Sequence, residues 1–110
     1  MKNVAVLKKQ ELEALLHDDP GDVFLRYGLA LELEKEGDHE ASLARLRELQ
    51  AGEPPYVPAF FMAAQQLVRL AQIDEARSTL RDGIEQARQQ GNAHAAGEMG
   101  ELLASLGDLG

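Results

Sequence analysis

Leucines recur along this chain at helical rather than strand spacing. Leu12, Leu15 and Leu16 form one stripe, and Leu43, Leu46 and Leu49 another; separations of three and four residues place side chains on one face of an α-helix. Alternation of apolar and polar residues with period two is nearly absent, and β-branched residues are few. Chain breakers punctuate the pattern at Pro20-Gly21, Gly37-Asp38, Gly52 to Pro55, Gly91-Asn92 and Gly107-Asp108, where proline removes a donor and glycine opens turn conformations. The intervening segments have ordinary helix lengths and predict six helices, near residues 4–17, 22–36, 39–51, 56–71, 74–90 and 93–106. Asp38 and Asp74 are the expected N-caps, because a short carboxylate accepts the unpaired N–H groups of a first turn.

The helical pattern repeats. With an offset of 34 residues, Pro20 falls on Pro54, Leu29-Ala30 on Ala63-Ala64, Leu33 on Leu67, Ser42 on Ala76 and Leu46 on Leu80. Size and polarity match better than identity, as they do when packing volume is the constraint. A 34-residue period with two helices per unit resembles the tetratricopeptide repeat family, whose slots run bulky, Leu-Gly, aromatic, small, bulky, proline. Here the first full repeat fills them with Arg26, Leu29-Ala30, Leu33, Ser42, Leu46 and Pro54, and the second with Phe60, Ala63-Ala64, Leu67, Ala76, Leu80 and Arg88. Arg26 in place of a bulky aromatic is the one departure in size; Ala30 and Ala64 stand where the pattern has glycine, and Arg88 replaces the last proline. Leu12 and Pro20 fit the closing half of an earlier, truncated repeat, and, after a two-residue slip, Ala96, Met99-Gly100 and Leu103 fit the opening half of a later one.

The resemblance implies an all-α fold of stacked antiparallel helix hairpins, a right-handed solenoid of about two and a half repeats. It divides one domain, residues 1–110, into an N-terminal half-repeat over 1–20, repeats over 21–54 and 55–90, and a C-terminal capping helix over 91–110. Small Ala30, Ser42, Ala64 and Ala76 are expected at close helix contacts, with Leu29, Leu33, Leu46, Leu67 and Leu80 filling the space between. Neighbouring units must stack, because no single repeat buries its own apolar face.

Composition narrows the function. The chain has 110 residues, 45% of them hydrophobic, and a net charge of −8, which argues against nucleic acid, whose phosphates call for a basic surplus. No cysteine is present, so disulfides, thiolate metal sites and a cysteine nucleophile are excluded. No apolar run approaches the ~18–20 residues of a membrane span, and the apolar stretch in MKNVAVLKK is too short for a signal peptide, so a cytoplasmic, soluble protein is expected. Acidity is uneven: residues 10–40 hold ten acids and two bases, read chiefly as a solvated helix surface and secondarily as a field that steers a basic partner.

Nothing in the pattern points to catalysis. His17, His39 and His94 form no zinc-binding pair, and His94 with Glu98 offers two ligands where a site needs more. Ser42, Ser78 and Ser105 lack a nucleophile-elbow context. Gly97 and Gly100 make no phosphate loop. The expectation is a non-enzyme with no catalytic residue, no cofactor and no metal.

Binding is the better reading. In tetratricopeptide proteins the first helix of each repeat lines a concave groove, and the resemblance places Phe24, Tyr27, Leu31, Glu34 and Lys35 there. Pro58, Phe61, Gln65, Val68 and Arg69 follow from the second repeat, and His94, Gly97, Glu98 and Glu101 from the last helix. The slots with which chaperone-adaptor members clamp a terminal carboxylate hold Tyr27, Gly28, Leu31, Pro58, Met62, His94 and Glu98, none of them Lys, Arg or Asn. The expected function is therefore a protein–protein interaction module without a carboxylate clamp. It presents Phe24, Tyr27, Leu31 and Phe61, rimmed by Lys35, Gln65 and Arg69, to a peptide or helix of a partner protein. The alternative is a self-associating unit stacking through apolar ends near Val4, Val6 and Leu7 and near Leu103, Leu106 and Leu109.

Overall fold

Three inter-helix turns share one hydrogen-bond pattern. Gly37, Ala71 and Gly91 adopt left-handed backbone, with φ of +85°, +61° and +74°. At each, the N–H of the left-handed residue reaches back three residues and the next N–H reaches back five. Gly37 N donates to Glu34 O at 2.9 Å and Asp38 N to Leu33 O at 2.9 Å; Ala71 N donates to Val68 O at 2.9 Å and Gln72 N to Leu67 O at 2.8 Å. Gly91 N donates to Arg88 O at 3.1 Å and Asn92 N to Ala87 O at 2.8 Å. This is the Schellman closure, which satisfies carbonyls a helix end leaves unpaired. Gly37 and Ala71 stand at the 34-residue offset read from the sequence.

The computed structural model describes residues 8–107. Among them are six helices and no strand: α1 (Lys9–Asp18), α2 (Val23–Lys35), α3 (His39–Gln50), α4 (Val57–Arg69), α5 (Ile73–Gln89) and α6 (Ala93–Ser105). Most expected boundaries agree to within two residues. Of the first helix, expected over 4–17, residues 4–7 lie outside the described residues, and Lys8, expected inside the helix, instead takes extended backbone at its cap position, so that α1 starts at Lys9. Two corrections concern α4 and α5. The helix expected over 56–71 ends at Arg69, because Ala71 takes the left-handed position that closes it. Asp74 is not a cap: Gln72 holds the cap position, and Asp74 sits in the first turn of α5, where Oδ1 accepts from Arg77 Nη1 at 2.8 Å. Asp38 does cap α3, accepting from Ala41 N at 3.2 Å. Asp22 and Asn92 do the same for α2 and α6, each accepting an N–H three residues on at 3.1 Å.

The chain divides into two compact units, residues 1–49 and 50–110. In the first, Leu12 of α1 packs with Leu25, Leu29 and Leu33 of α2, and Leu16 and Ala41 close over them. The expected stripe on α1 is narrower than read: Leu12 is fully buried and Leu16 partly so, while Leu15 is 44% exposed. α2 and α3 run antiparallel, since Ser42 bonds to Ala30 while Arg26, further back on α2, meets Glu48, further forward on α3.

In the second unit α5 packs against both α4 and α6, and α4 also touches α6. The three meet at Gly83, where a Cβ would stand 2.6 Å from Phe60 Cβ and 2.7 Å from Met99 Sδ. Gln90 Nε2 on the far end of α5 donates to Pro55 O at 2.8 Å, ahead of α4, and Arg77 Nη2 donates to Leu106 O at 2.5 Å, just beyond α6. Both contacts require antiparallel neighbours. Pro58 is the second residue of α4, where its missing N–H leaves no gap in the helix.

The expected small positions Ala30, Ser42, Ala64 and Ala76 are all fully buried, and Leu29, Leu33, Leu46, Leu67 and Leu80 are buried as well. Leu106, expected on an apolar end open for stacking, is instead 2% exposed. Val4, Val6, Leu7 and Leu109, invoked with it, lie outside the described residues. No helix among those described is long and apolar enough to cross a membrane.

Candidate functional site

The geometry of α2 divides its side chains cleanly. At 100° per residue, Leu25, Leu29, Ala30 and Leu33 point to one side, and all four are buried. Phe24, Tyr27, Leu31 and Lys35 occupy the other. Phe24 is 65% exposed and Lys35 is exposed, while Tyr27 and Leu31 are half-buried. The Asp22 cap fixes where the helix starts and therefore which face Phe24 takes. Half-buried Glu32 and Glu34 flank this stripe, and exposed Asp18 and Asp19 lie ahead of it. Val23, beside Phe24, is 38% exposed.

In the second unit the same division holds on α4. Ala59, Phe60, Ala63, Ala64 and Leu67 are buried. Phe61, Gln65 and Val68 are half-buried, and Pro58 and Arg69 are exposed. On α6, His94, Gly97, Glu98 and Glu101 are exposed. His94 Nε2 lies 3.2 Å from Glu98 Oε1, and a Cβ added at Gly97 would meet nothing within 4 Å.

Every residue expected on a binding face is thus at least partly open. Of the three aromatic rings expected there, Phe24 is mostly exposed, while Tyr27 and Phe61 are half-buried. Phe24, Tyr27 and Leu31 belong to the first unit and Phe61 to the second.

The first unit holds a further feature that the sequence reading passed over. An open cleft of about 300 Å³ is lined by Glu13, Leu16 and His17 of α1, Pro20 of the turn, Arg26 and Leu29 of α2, and Arg45 of α3. Arg26 occupies the slot where the repeat pattern calls for a bulky aromatic, and that departure was the available signal: a thin, charged chain leaves space where a ring would fill it.

Tyr56, at the cap position of α4, is partly buried, and desolvation of its phenolate raises the phenol above its ordinary value of 10.0. Among the described residues no group of three or more His, Asp or Glu side chains is gathered to hold a metal. Comparison of the chain with protein-family models, with curated proteins and with solved structures gives no match.

Proposed function

We propose that this chain is a tetratricopeptide-like protein–protein interaction module that docks a peptide or helix of a partner protein. The 34-residue recurrence supports the repeat reading: left-handed turns at Gly37 and Ala71, buried small residues at Ala30 and Ala64, and again at Ser42 and Ala76. The observation that carries the binding reading is Phe24. A phenyl ring left 65% exposed on the outward side of a helix keeps a large apolar area in water, and burying it against a partner returns that area's hydrophobic free energy. Tyr27, Leu31 and Lys35 continue the face on α2; Phe61, Gln65 and Arg69 form the corresponding face on α4. An extended or helical peptide suits such stripes, because anchors at three- and four-residue spacing meet pockets of the same period.

Site-specific photocrosslinking tests this. A photoreactive phenylalanine analogue at position 24 is expected to yield one dominant protein adduct in cells, with a far weaker one from Ser78, an exposed position on α5. Equal labelling from both positions would remove the reading.

A further inference from the structure

The cleft of the first unit lies on the other side of α2 from the Phe24 face. Arg26 is two residues from Phe24, about 200° round the helix. The walls divide by chemistry into apolar Leu16, Pro20 and Leu29 and polar Glu13, His17, Arg26 and Arg45.

The two arginines are under-used. The Arg26 side chain is 29% exposed, and its Nη2 lies 3.6 Å from Glu48 Oε2. Arg45 Nη1 lies 3.8 Å from that same oxygen. Neither distance is a hydrogen bond. Two guanidinium groups, each with five N–H donors, therefore converge on one carboxylate oxygen without bonding to it. A partly desolvated guanidinium gains most from an oxyanion that its planar fork can grip through two parallel bonds. Glu48 does not supply that grip, and it lies outside the residues that line the cleft.

We propose that this cleft binds a small organic oxyanion, a carboxylate or phosphomonoester carrying an apolar body. Arg26 and Arg45 take the oxyanion, and Leu16, Pro20 and Leu29 take the body. The volume suits such a ligand: an apolar cavity of roughly 150 Å³ already admits benzene, and this cleft is about 300 Å³. Glu13 in the wall and Glu48 beside the arginines limit the charge the site accepts, so polyphosphates are disfavoured. The assignment stands apart from the docking face on α2.

The arginine Nε–H resonances of the whole chain, followed by NMR during titration with phenyl phosphate, benzoate and inorganic phosphate, test it. Phenyl phosphate or benzoate is expected to shift Arg26 and Arg45 saturably and to leave the exposed Arg81 and Arg88 in place; whichever binds tighter identifies the oxyanion. Inorganic phosphate, without an apolar body, is expected to bind at least tenfold more weakly. Arg26→Gln and Arg45→Gln should each weaken binding at least tenfold, and Arg45, half-exposed, is replaceable without loss of the fold. Glu48→Gln should tighten binding several-fold, because it removes the competing carboxylate; a role confined to packing gives no such gain. Shifts that never saturate, equal shifts at all arginines, or a Glu48→Gln variant that binds no tighter would each overturn the proposal.

Discussion

The Ser42 hydroxyl donates to the Ala30 carbonyl at 2.6 Å, from one fully buried small residue to another, and joins α3 to α2. Van der Waals contact alone would need only a small side chain at position 42, as Ala76 shows 34 residues on, equally buried. Ser42→Ala therefore removes a hydrogen bond without creating a clash. The Ala30 carbonyl still has its own helical partner, so the expected loss is about 1 kcal/mol. The urea midpoint should fall while the slope of the transition stays constant.

Gly83 is held to glycine by contact. A methyl group there would overlap Phe60 Cβ and Met99 Sδ. The methionine tip can swing away, but the phenylalanine Cβ is fixed to α4. Gly83→Ala should therefore destabilise the protein by roughly 1–3 kcal/mol, despite the gain of up to about 1 kcal/mol in intrinsic helix propensity. A rise in stability on thermal unfolding would mean that the α4–α5 contact is looser than these distances describe.

Ala71 shows where sequence reasoning stopped short. Gly37 and Gly91 announced their turns, because glycine is the residue suited to a left-handed backbone. Ala71 adopts the same conformation with φ of +61°, and an alanine gives no such signal; the helix was accordingly extended through it. Position-by-position spacing located the buried small and large residues of both units, because packing imposes size at fixed intervals. The expectation of a binding face at Phe24, Tyr27 and Leu31 came instead from the resemblance to the repeat family; on α2 these three lie opposite the buried leucines. The cleft around Arg26 lies where three helices meet, and its one trace in the sequence is Arg26 itself, standing in a slot that the repeat pattern fills with a bulky aromatic. Ala71→Gly should stabilise the protein by about 1 kcal/mol, since left-handed backbone costs an L-residue about 1–2 kcal/mol, partly offset by glycine's greater freedom in the unfolded chain. An unchanged or lower melting temperature would contradict the conformation.

Tyr56 makes stability sensitive to strong alkali. Its folded phenol is raised above 10.0 by desolvation, so the folded state binds its proton more tightly than the unfolded chain does. That contribution is complete below pH 10 and is lost as pH rises through the folded value. The chain has two tyrosines, so Tyr27→Phe isolates this one. Its phenolate absorbance at 295 nm should titrate with a midpoint above 10, and stability should decline over that range. A midpoint at or below 10 would show an open phenol.

Phe24 separates a docking face from a structural one. With 65% of its surface in water, it contributes little to the core, and Phe24→Ala should change stability by no more than about 0.5 kcal/mol. Tyr27→Ala and Phe61→Ala should cost more, about 1–2 kcal/mol each, because both rings are half-buried and truncation forfeits part of a packed contact. Partner binding should follow a different order. Phe24→Ala should weaken it at least as much as either of the other two, since the ring with most area in water has most to bury. Stability by urea titration and partner binding by calorimetry, measured on the same three variants, therefore rank them differently if α2 docks a partner. If Phe24→Ala instead costs more than about 2 kcal/mol of stability, the ring belongs to the core and the docking face must lie elsewhere.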